Sequence, residues 1–378
     1  MSKIVVLGCG LMGEVMARDL SSGGENTVVV VDRREEARER VKDIDGVTFQ
    51  QGDVSQLGRN SEFLEGAELV VGALPGALGF TALRRVLEVG CPRVVDISFM
   101  PEDASDLHDL ARNKGTVCLV DCGVAPGLSH MLAARAVKEM ERPESLEVLV
   151  GGLPQRRRWP FEYMSVFSPR DVVEEYTRPA RIKWAGKIEQ WPALSQVERV
   201  EFKEIGTLEA FLTDGLRSLL DSLEVPFMVE KTLRYPGHAE KMALLRSAGF
   251  LSHEFLKMGQ QRVRPVDLTA RLLERAWRPE PDDLDLTLLR VILTGVGEGG
   301  RRARRVFELA HIPESLPTSM ACTTGYTCTA VCRLVLADLF KTPGVHFPEV
   351  LGQDEVCMTA ILKDLAEHEI QVRGLEGS

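Results

Sequence analysis

Apolar and polar positions alternate in blocks over the first 125 residues, with short apolar runs separated by amphipathic stretches. Six runs rich in β-branched residues are candidate strands, at 3–7, 27–31, 47–50, 68–74, 93–98 and 116–121. Helical patterns lie between them, near 11–22, 34–43, 78–89 and 103–114. Strands that are apolar along their whole length are buried on both faces, which is typical of a parallel sheet covered by helices. The pattern therefore predicts an α/β domain with a doubly wound parallel sheet.

The pattern changes after about residue 125. Helical stretches cover 127–140 and 319–340, and the second is apolar on most sides, so we expect it to be buried. Longer strand candidates lie at 146–152, 198–205, 229–234, 288–295 and 302–309, and the stretches at 154–160 and 278–284 are typical of loops. After a first domain over 1–125, the sequence predicts a second, α+β domain with a mostly antiparallel sheet over 126–318. Residues 319–378 are predicted as a C-terminal helical segment that packs back on the first domain.

Charge and hydropathy restrict the class of partner. The chain has 46 Lys+Arg and 56 Asp+Glu residues, and its formal net charge is −10. An acidic chain repels nucleic acid and anionic lipid, so neither is expected as a partner. No apolar run approaches the ~20 residues that span a bilayer, and the start lacks the pattern of a secretory signal. We therefore expect a cytoplasmic protein, with no membrane partner, that acts on a small molecule.

The eight cysteines form no C-x-x-C pair, and most of them lie inside apolar runs. In a reducing cytosol this pattern indicates buried free thiols. Cys322, Cys328 and Cys332 share the long C-terminal helix, but their spacing does not place three thiols on one face. We therefore predict no metal site.

The first loop carries a phosphate-binding pattern. It reads Gly-Cys-Gly-Leu-Met-Gly and fits G-x-G-x-x-G, after a strand and at the start of a helix. Gly8 allows the tight turn, Gly10 lets backbone amides approach a pyrophosphate, and Gly13 lets the helix and strand pack closely. The helix N-terminus at Leu11 and Met12 offers partial positive charge to the phosphates. The sequence thus predicts a Rossmann dinucleotide-binding domain, and a plain set of turn glycines is the alternative.

A carboxylate marks the tip of the second strand. Asp32 follows Gly13 by 19 residues, where an acid accepts hydrogen bonds from both hydroxyls of the adenosine ribose and repels a 2′-phosphate. NAD is therefore favoured over NADP. Arg33 and Arg34 follow directly, and one of them could instead stack on adenine or pair with a 2′-phosphate. A helix-capping aspartate is the alternative interpretation.

Two further loops are expected near the same cofactor. The fourth strand ends in Ala73, Leu74 and Pro75, and in this strand order the first and fourth strands flank the topological switch point. Asp53 and Val54 follow the third strand and would lie beside the adenine, unless they form a solvated turn.

Three polar stretches lie where a packed fold would not need them. They are 121–127 at the end of the sixth strand, 213–218 inside a helical pattern, and 234–238 between a strand and a helix. His238 opens that last helix, where the helix dipole disfavours the imidazolium and keeps the ring neutral, so that it can act as a base. A capping or core histidine is the alternative.

Eight segments carry a family resemblance over nearly the whole chain. They are GALPGALGF (72–80), SFMPE (98–102), DCGVAPG (121–127), GGLP (151–154), SPRD (168–171), EEYTRPAR (174–181), TDGLRS (213–218) and TLRYPGH (232–238). Together they resemble the L-lysine 6-dehydrogenases of the saccharopine reductase-like group. Some members of that family carry a Gly-Gly-Thr-type segment where this chain has 214–217, so substrate contacts there can differ.

The resemblance implies NAD-linked oxidation of the ε-amine of L-lysine to the 6-semialdehyde, which cyclises to a piperideine carboxylate. It also implies a homodimer built through the second domain. The amine must be neutral before hydride leaves, so we expect His238 to accept a proton, assisted by Asp96 or Asp121. An α-carboxylate calls for an arginine, and the candidates are Arg217 and Arg234.

Other residues would complete these sites. Asp214 could hold the α-ammonium group, and Tyr163 and Thr213 could line the same pocket. Ser98 and Phe99, at the end of the fifth strand, are assigned to the cofactor site. A surface or domain-interface ion pair is the alternative for the charged residues.

Two other functions stay open at this stage. One is an NAD(P)-dependent reductase that joins an amine to an aldehyde acid, as in saccharopine and carboxynorspermidine chemistry. The other is a non-catalytic NAD-binding regulator. The polar stretches at 213–218 and 234–238 argue against the regulator, because a sensor needs no such pocket.

Overall fold

The computed structural model describes residues 2–56, 61–165 and 169–374. Within these ranges the chain forms two compact units. The first comprises the chain up to Arg135 together with Ala321–Gln371, and the second comprises Ala136–Met320 together with Val372–Arg373. The chain therefore leaves the first unit and later returns to it.

The first unit begins with a regular alternation of strands and helices. Its elements are β1 (Ser2–Leu7), α1 (Leu11–Ser21), β2 (Asn26–Asp32), β3 (Val47–Gln51), β4 (Leu69–Gly72), α2 (Gly76–Val89), β5 (Arg93–Asp96), α3 (His108–Lys114) and β6 (Val117–Leu119). All six predicted strands are confirmed. The helix predicted near 34–43 is wrong, because Glu35–Arg40 is a 3-10 segment. Within that segment only Ala37 is buried, so it has no apolar face to hold a longer α-helix.

The second unit contains most of the remaining strands. The elements in chain order are α4 (Leu128–Lys138), which leads into it, then β7 (Arg142–Pro154), α5 (Pro169–Thr177), β8 (Ala180–Trp184), β9 (Lys187–Trp191), β10 (Glu198–Phe202), β11 (Gly206–Leu212), α6 (Leu219–Ser222), β12 (Phe227–Arg234), α7 (His238–Ser247), β13 (Leu256–Met258), β14 (Gln261–Val263), α8 (Pro265–Ala276), β15 (Asp285–Val296) and β16 (Arg302–His311). The five strands predicted there are confirmed. The helical pattern assumed around 213–218 is wrong, because the segment before it is β11. Pairing with β10 and β12 overrides the helix propensity of its Leu, Glu and Ala residues.

The C-terminal segment returns to the first unit and ends in the second. Its elements are α9 (Ser319–Leu336), β17 (Gly344–His346), α10 (Glu349–Gly352), α11 (Glu355–Glu367) and β18 (Val372–Arg373). As predicted, α9 is largely buried, with Cys328, Val331 and Cys332 fully enclosed. The sequence analysis missed β17, since three residues are too short to show a periodic pattern.

The sheet of the first unit is parallel throughout, in the order β17-β6-β5-β4-β1-β2-β3. The doubly wound sheet is thus confirmed, with seven strands instead of six. The strand order reverses at β1, which lies between β4 and β2. Loops that follow neighbouring strands at such a switch point form the usual ligand crevice.

The sheet of the second unit runs β10-β11-β12-β7-β15-β16-β18, with β8 paired to β12 and β9 paired to β8. Only β12 and β7 are parallel among these described pairs. The prediction of a mostly antiparallel second sheet is confirmed. A cluster of aromatic and aliphatic side chains from α5, α7 and α8 forms one core of this unit, and Tyr163, Tyr176 and Trp277 belong to it.

An ion cluster around the buried Asp19 ties the C-terminal segment to α1. Asp19 Oδ1 accepts hydrogen bonds from His368 Nε2 at 2.8 Å and from Arg333 Nη2 at 2.7 Å, and Arg333 Nη1 reaches both oxygens of Asp364 at 3.0 Å. His368 Nδ1 lies 2.9 Å from the carbonyl oxygen of Asp364, so both ring nitrogens face acceptors. The bond to Asp19 raises the pKa of His368 accordingly. The cluster links α1, α9 and α11 by paired charges.

All eight cysteines are buried and free, as expected for reduced structural thiols. Burial raises the pKa of several of them, including Cys9 and Cys91, which keeps these thiols protonated. None of the helices in the described ranges has the length and apolarity needed to cross a bilayer.

Candidate active site

The loop after β1 forms a backbone cradle at the start of α1. Gly8 has φ +105°, and a Cβ there would lie 2.3 Å from the carbonyl oxygen of Ala73. A Cβ at Gly13 would lie 2.0 Å from the carbonyl oxygen of Gly8, so both positions require glycine. A Cβ at Gly10 would meet nothing within 4 Å, and no side chain caps the helix there. Open space beside uncapped amides of the first turn, at Leu11, fits a pyrophosphate.

Asp32 ends β2 beside this cradle. Its carboxylate accepts hydrogen bonds from the backbone amide of Cys9 at 2.9 Å, from the amide of Arg34 at 2.9 Å and from Arg34 Nε at 3.1 Å. Burial opposes ionisation, but these bonds outweigh it and hold the pKa of Asp32 below its usual range. An ionised carboxylate therefore stands where a ribose would be recognised. Arg33 and Arg34 are both exposed, and Arg34 is the one that pairs with this acid.

The loops after β4 and β5 contact each other at the same edge of the sheet. Ser98 Oγ lies 3.4 Å from the amide nitrogen of Leu74. A Cβ at Gly76 would lie 2.1 Å from the carbonyl oxygen of Phe99. The structure thus brings together five of the residues assigned to the cofactor from sequence: Ala73, Leu74, Pro75, Ser98 and Phe99.

The turn after β3 is less suited to ligand contact than the sequence suggested. Asp53 is exposed, but Val54 is 7% exposed and belongs to the apolar core with Val31 and Leu64. The Val54 side chain therefore serves packing. The assignment of Asp53 to the cofactor site stays a prediction.

Two buried carboxyl groups lie at the carboxyl ends of the central strands. Asp96 is 3% exposed and Asp121 is 2% exposed. Asp96 Oδ1 accepts a hydrogen bond from the amide of Ser98 at 2.6 Å, and a Cβ at Gly72 would overlap its carboxylate. Burial, reinforced by the charge of Asp121, raises the pKa of Asp96 from 3.8 to about 7. A carboxyl group with that pKa can both release and accept a proton near neutrality.

In the second unit, His238 is the first residue of α7 and is fully buried. Its Nδ1 lies 2.7 Å from the carbonyl oxygen of Phe161, and its Nε2 lies 2.9 Å from the hydroxyl of Tyr176. Nδ1 therefore carries the proton and donates it to Phe161, while Nε2 accepts from Tyr176. Burial, followed by the charge of Arg234, lowers the pKa of His238 to about 3. The ring is neutral as predicted, but both nitrogens are occupied, which is the core-histidine alternative.

Arg234 ends β12 and is 3% exposed. Its Nη2 donates to Glu175 at 2.7 Å, and its Nη1 donates to the carbonyl oxygen of Leu233 at 2.9 Å. The guanidinium carbon lies 4.6 Å from the centre of the Tyr163 ring. Arg234 and Tyr163, both assigned to the substrate from sequence, are therefore in contact.

The 213–218 segment is held by two buried anchors. Thr213 Oγ1 donates to Glu230 at 2.6 Å, and the amide of Gly215 donates to the same carboxyl at 3.1 Å. Asp214 binds the guanidinium of Arg181 through both oxygens, at 2.9 and 3.1 Å. Asp214 is therefore already paired within the protein, and its assignment as the holder of a substrate ammonium group stays a prediction. Arg217 lies in the same segment with φ +44°, half-buried.

Sequence reasoning missed several members of this buried cluster. The missed residues are Glu175, Tyr176, Arg181, Glu230 and Trp277. Burial raises the pKa of Glu230 from 4.5 to about 8, so it is protonated at neutral pH. No clear signal marked Glu230 in the sequence, because the strand candidate 229–234 also contains Lys231 and Arg234. The others emerge only when distant segments meet.

Comparison with known proteins gives two family matches that together span almost the whole chain. A model described as "Saccharopine dehydrogenase NADP binding domain" matches residues 4–119, and one described as "Saccharopine dehydrogenase C-terminal domain" matches residues 123–370.

The chain belongs to the saccharopine dehydrogenase family.

The similar proteins are distant in sequence. Among them are an alpha-aminoadipic semialdehyde synthase from Arabidopsis thaliana, 24% identical over 58% of this chain and 22% of the relative, and a saccharopine dehydrogenase [NADP(+), L-glutamate-forming] from Schizosaccharomyces pombe, 23% identical over 75% of this chain and 66% of the relative. The chain thus spans two thirds or less of the length of these relatives. An apo saccharopine dehydrogenase (L-Glu forming) from Saccharomyces cerevisiae has a TM-score of 0.82 over the whole of both chains at 17% identity, which shows a shared fold.

Proposed function

We propose that this chain is a nicotinamide-dinucleotide-dependent oxidoreductase that acts on a C–N bond of an amino acid. The observation that carries the proposal is the cradle of Gly8, Gly10 and Gly13 with the ionised Asp32 beside it. Membership in the saccharopine dehydrogenase family supports the amino-acid substrate class. The buried polar cluster around Arg234 in the second unit supports a site for a charged metabolite.

The substrate we propose is L-lysine, whose ε-carbon would lose a hydride to the coenzyme to give an iminium. Water would then hydrolyse the iminium to the 6-semialdehyde and release ammonium. The resemblance over the eight segments supports it. Saccharopine is the second candidate, favoured by the names of the curated relatives. The two reactions differ in the amine that leaves, ammonium from lysine and L-glutamate from saccharopine.

The bound coenzyme would accept a hydride from the carbon that carries the amine. Gly10 and the first turn of α1 would hold its pyrophosphate, and Asp32 its adenosine ribose. We propose NAD because a carboxylate at Asp32 repels a 2′-phosphate, although the matching family model and the relatives are named for NADP. The backbone amides that would bind the pyrophosphate suit NAD and NADP equally.

Proton transfer is better assigned to Asp96 than to His238. A group whose pKa is about 3 holds almost no proton near neutral pH, and both nitrogens of His238 already have partners. The pKa of Asp96 is about 7, which matches a proton acceptor at neutral pH. We propose that Asp96 takes the proton from the amine and that His238 positions Tyr176. The homodimer and the cytoplasmic location implied earlier stay proposals.

The substrate is tested with purified protein and one amine at a time. L-Lysine with NAD⁺ and no oxo acid is expected to produce reduced coenzyme and an equal amount of ammonium. Saccharopine is expected to produce little, and any coenzyme it reduces should be matched by L-glutamate. L-Glutamate release at a higher kcat/KM than lysine oxidation would favour the second candidate. If no amine reduces either NAD⁺ or NADP⁺, the proposal that the protein is an oxidoreductase is contradicted.

The coenzyme preference is tested by Asp32→Ser. Loss of the charged acceptor is expected to weaken NADH binding by about tenfold, because a hydrogen bond to a charged group contributes roughly 1.5–3 kcal/mol, and to strengthen NADPH binding. The readout is the fluorescence of the reduced nicotinamide during titration. Asp338→Ser, which alters an exposed acid of the same unit paired to Arg93, is the matched control. Tighter binding of NADPH than NADH by the unaltered protein would refute the choice of NAD but leave the site intact.

A further inference from the structure

Two buried donors of the second unit have no hydrogen-bond acceptor among the residues that the structure describes. They are Arg234 Nε and Trp277 Nε1. Arg234 is 3% exposed and Trp277 is 1% exposed, so bulk water does not satisfy them. A buried donor without a partner costs roughly 1–3 kcal/mol. A bound ligand that supplies acceptors to both donors would remove this cost.

Both donors belong to side chains that contact Tyr163. The Arg234 guanidinium carbon lies 4.6 Å from the centre of the Tyr163 ring. The Trp277 ring lies edge-on to it, 5.0 Å between centroids at 87°. Tyr163 itself is 3% exposed. Both donors therefore belong to side chains that pack against the same ring, and the aromatic surroundings suit an aliphatic chain with a polar end.

Both terminal nitrogens of Arg234 already have a partner. Nη2 donates to Glu175 and Nη1 donates to the carbonyl oxygen of Leu233. Nε is the guanidinium nitrogen that has no acceptor among the described residues. The neighbouring His238 ring is neutral, because burial and the charge of Arg234 lower its pKa. Glu175 offsets part of the positive charge of the guanidinium, but it is bound to Nη2, so the Nε–H of the cation still favours an anionic acceptor.

We propose that Arg234 Nε and Trp277 Nε1 together bind a carboxylate of the amino-acid substrate, one oxygen to each donor. The proposal rests on the proposed function and deepens it, since it names the group that the second unit recognises. Trp277 is thereby a substrate-binding residue. Arg234 acts through its single Nε donor, while Glu175 holds the guanidinium in place.

The test uses two ligands that differ by the carboxylate alone. L-Norleucine has the carbon chain of lysine without the ε-amine, and 1-aminopentane is norleucine without its carboxylate. Trp277→Phe keeps an aromatic ring and removes the donor, and Trp184→Phe is the matched control on the half-exposed Trp184 of the same unit. Calorimetric titration of the full-length protein in the presence of reduced coenzyme measures each affinity.

Trp277→Phe is expected to weaken norleucine binding about tenfold and to leave 1-aminopentane unchanged, because a hydrogen bond to a charged group contributes roughly 1.5–3 kcal/mol. Trp184→Phe should change neither. Arg234→Lys, which keeps a cation but lacks Nε, should weaken norleucine in the same way. Three results would overturn the proposal. They are an equal loss of affinity for both ligands, an unchanged norleucine affinity in the variants, and no norleucine binding by the unaltered protein. If norleucine binds as expected but no amine is oxidised, the proposed function fails and the carboxylate site stands.

Discussion

Gly10→Ala is expected to remove dinucleotide binding while leaving the fold unchanged. Gly10 has φ −86° and ψ −168°, which any residue adopts, and a Cβ there meets nothing within 4 Å. The melting temperature should therefore stay within about 2 °C of the unaltered protein. The same methyl group would enter the space that a pyrophosphate needs, so the affinity for NADH and NADPH should fall by more than about tenfold. Differential scanning fluorimetry and calorimetric titration measure the two effects.

Gly8→Ala is the matched comparison in the same loop. Its Cβ would lie 2.3 Å from the carbonyl oxygen of Ala73, and φ +105° is strained for alanine. Backbone strain of this kind costs on the order of 1–3 kcal/mol, so this variant should lose stability as well as coenzyme. Coenzyme binding by Gly10→Ala that equals that of the unaltered protein would show that the cradle is not the coenzyme site.

Asp96→Asn is expected to stabilise the protein above neutral pH and to remove activity. Burial raises the pKa of Asp96 from 3.8 in the unfolded chain to about 7 in the folded protein. Between these values the unfolded chain ionises first, so the free energy of unfolding falls as the pH rises from about 4 to about 7 and is constant above. The loss reaches up to roughly 4 kcal/mol, since a pKa difference of one corresponds to about 1.4 kcal/mol. Asparagine abolishes this loss and still accepts the hydrogen bond from Ser98.

The same change removes the proposed proton acceptor, so turnover should fall by about 10²-fold. Urea unfolding at pH 5, 6, 7 and 8 measures the stability difference, and Asp109→Asn on the exposed part of α3 is the control. If Asp96 served only to stabilise the fold, Asp96→Asn would instead lower the free energy of unfolding. Unchanged turnover in Asp96→Asn would exclude Asp96 as the acceptor.

The sheet and the glycine loop of the first unit could be predicted from the sequence because the patterns that indicate them are local. Each strand is a continuous apolar run, and Gly8, Gly10 and Gly13 stand together in one loop with the spacing of a dinucleotide fingerprint. Asp32 lies at the tip of the strand that follows the same helix. Such features depend on residues near one another in sequence, so periodicity and spacing reveal them.

For the second unit, the sequence predicted the polar residues but not their partners. The sequence singled out Arg234, Tyr163, Asp214 and His238 as polar residues in unexpected places. It could not tell that Asp214 pairs with Arg181, since β11 was misread as part of a helical pattern. It also missed Trp277, which reaches Tyr163 from more than 100 residues away along the chain.

By itself, the sequence determined the doubly wound parallel sheet, its glycine cradle and the acid that ends β2. Only the tertiary structure decided which polar groups have partners among the described residues and which buried donors have none. His238 and Asp214 belong to the first kind, and Arg234 Nε and Trp277 Nε1 to the second. The reason is physical: a side chain's pKa and its free hydrogen-bonding capacity depend on burial and on partners that chain folding brings together from distant segments.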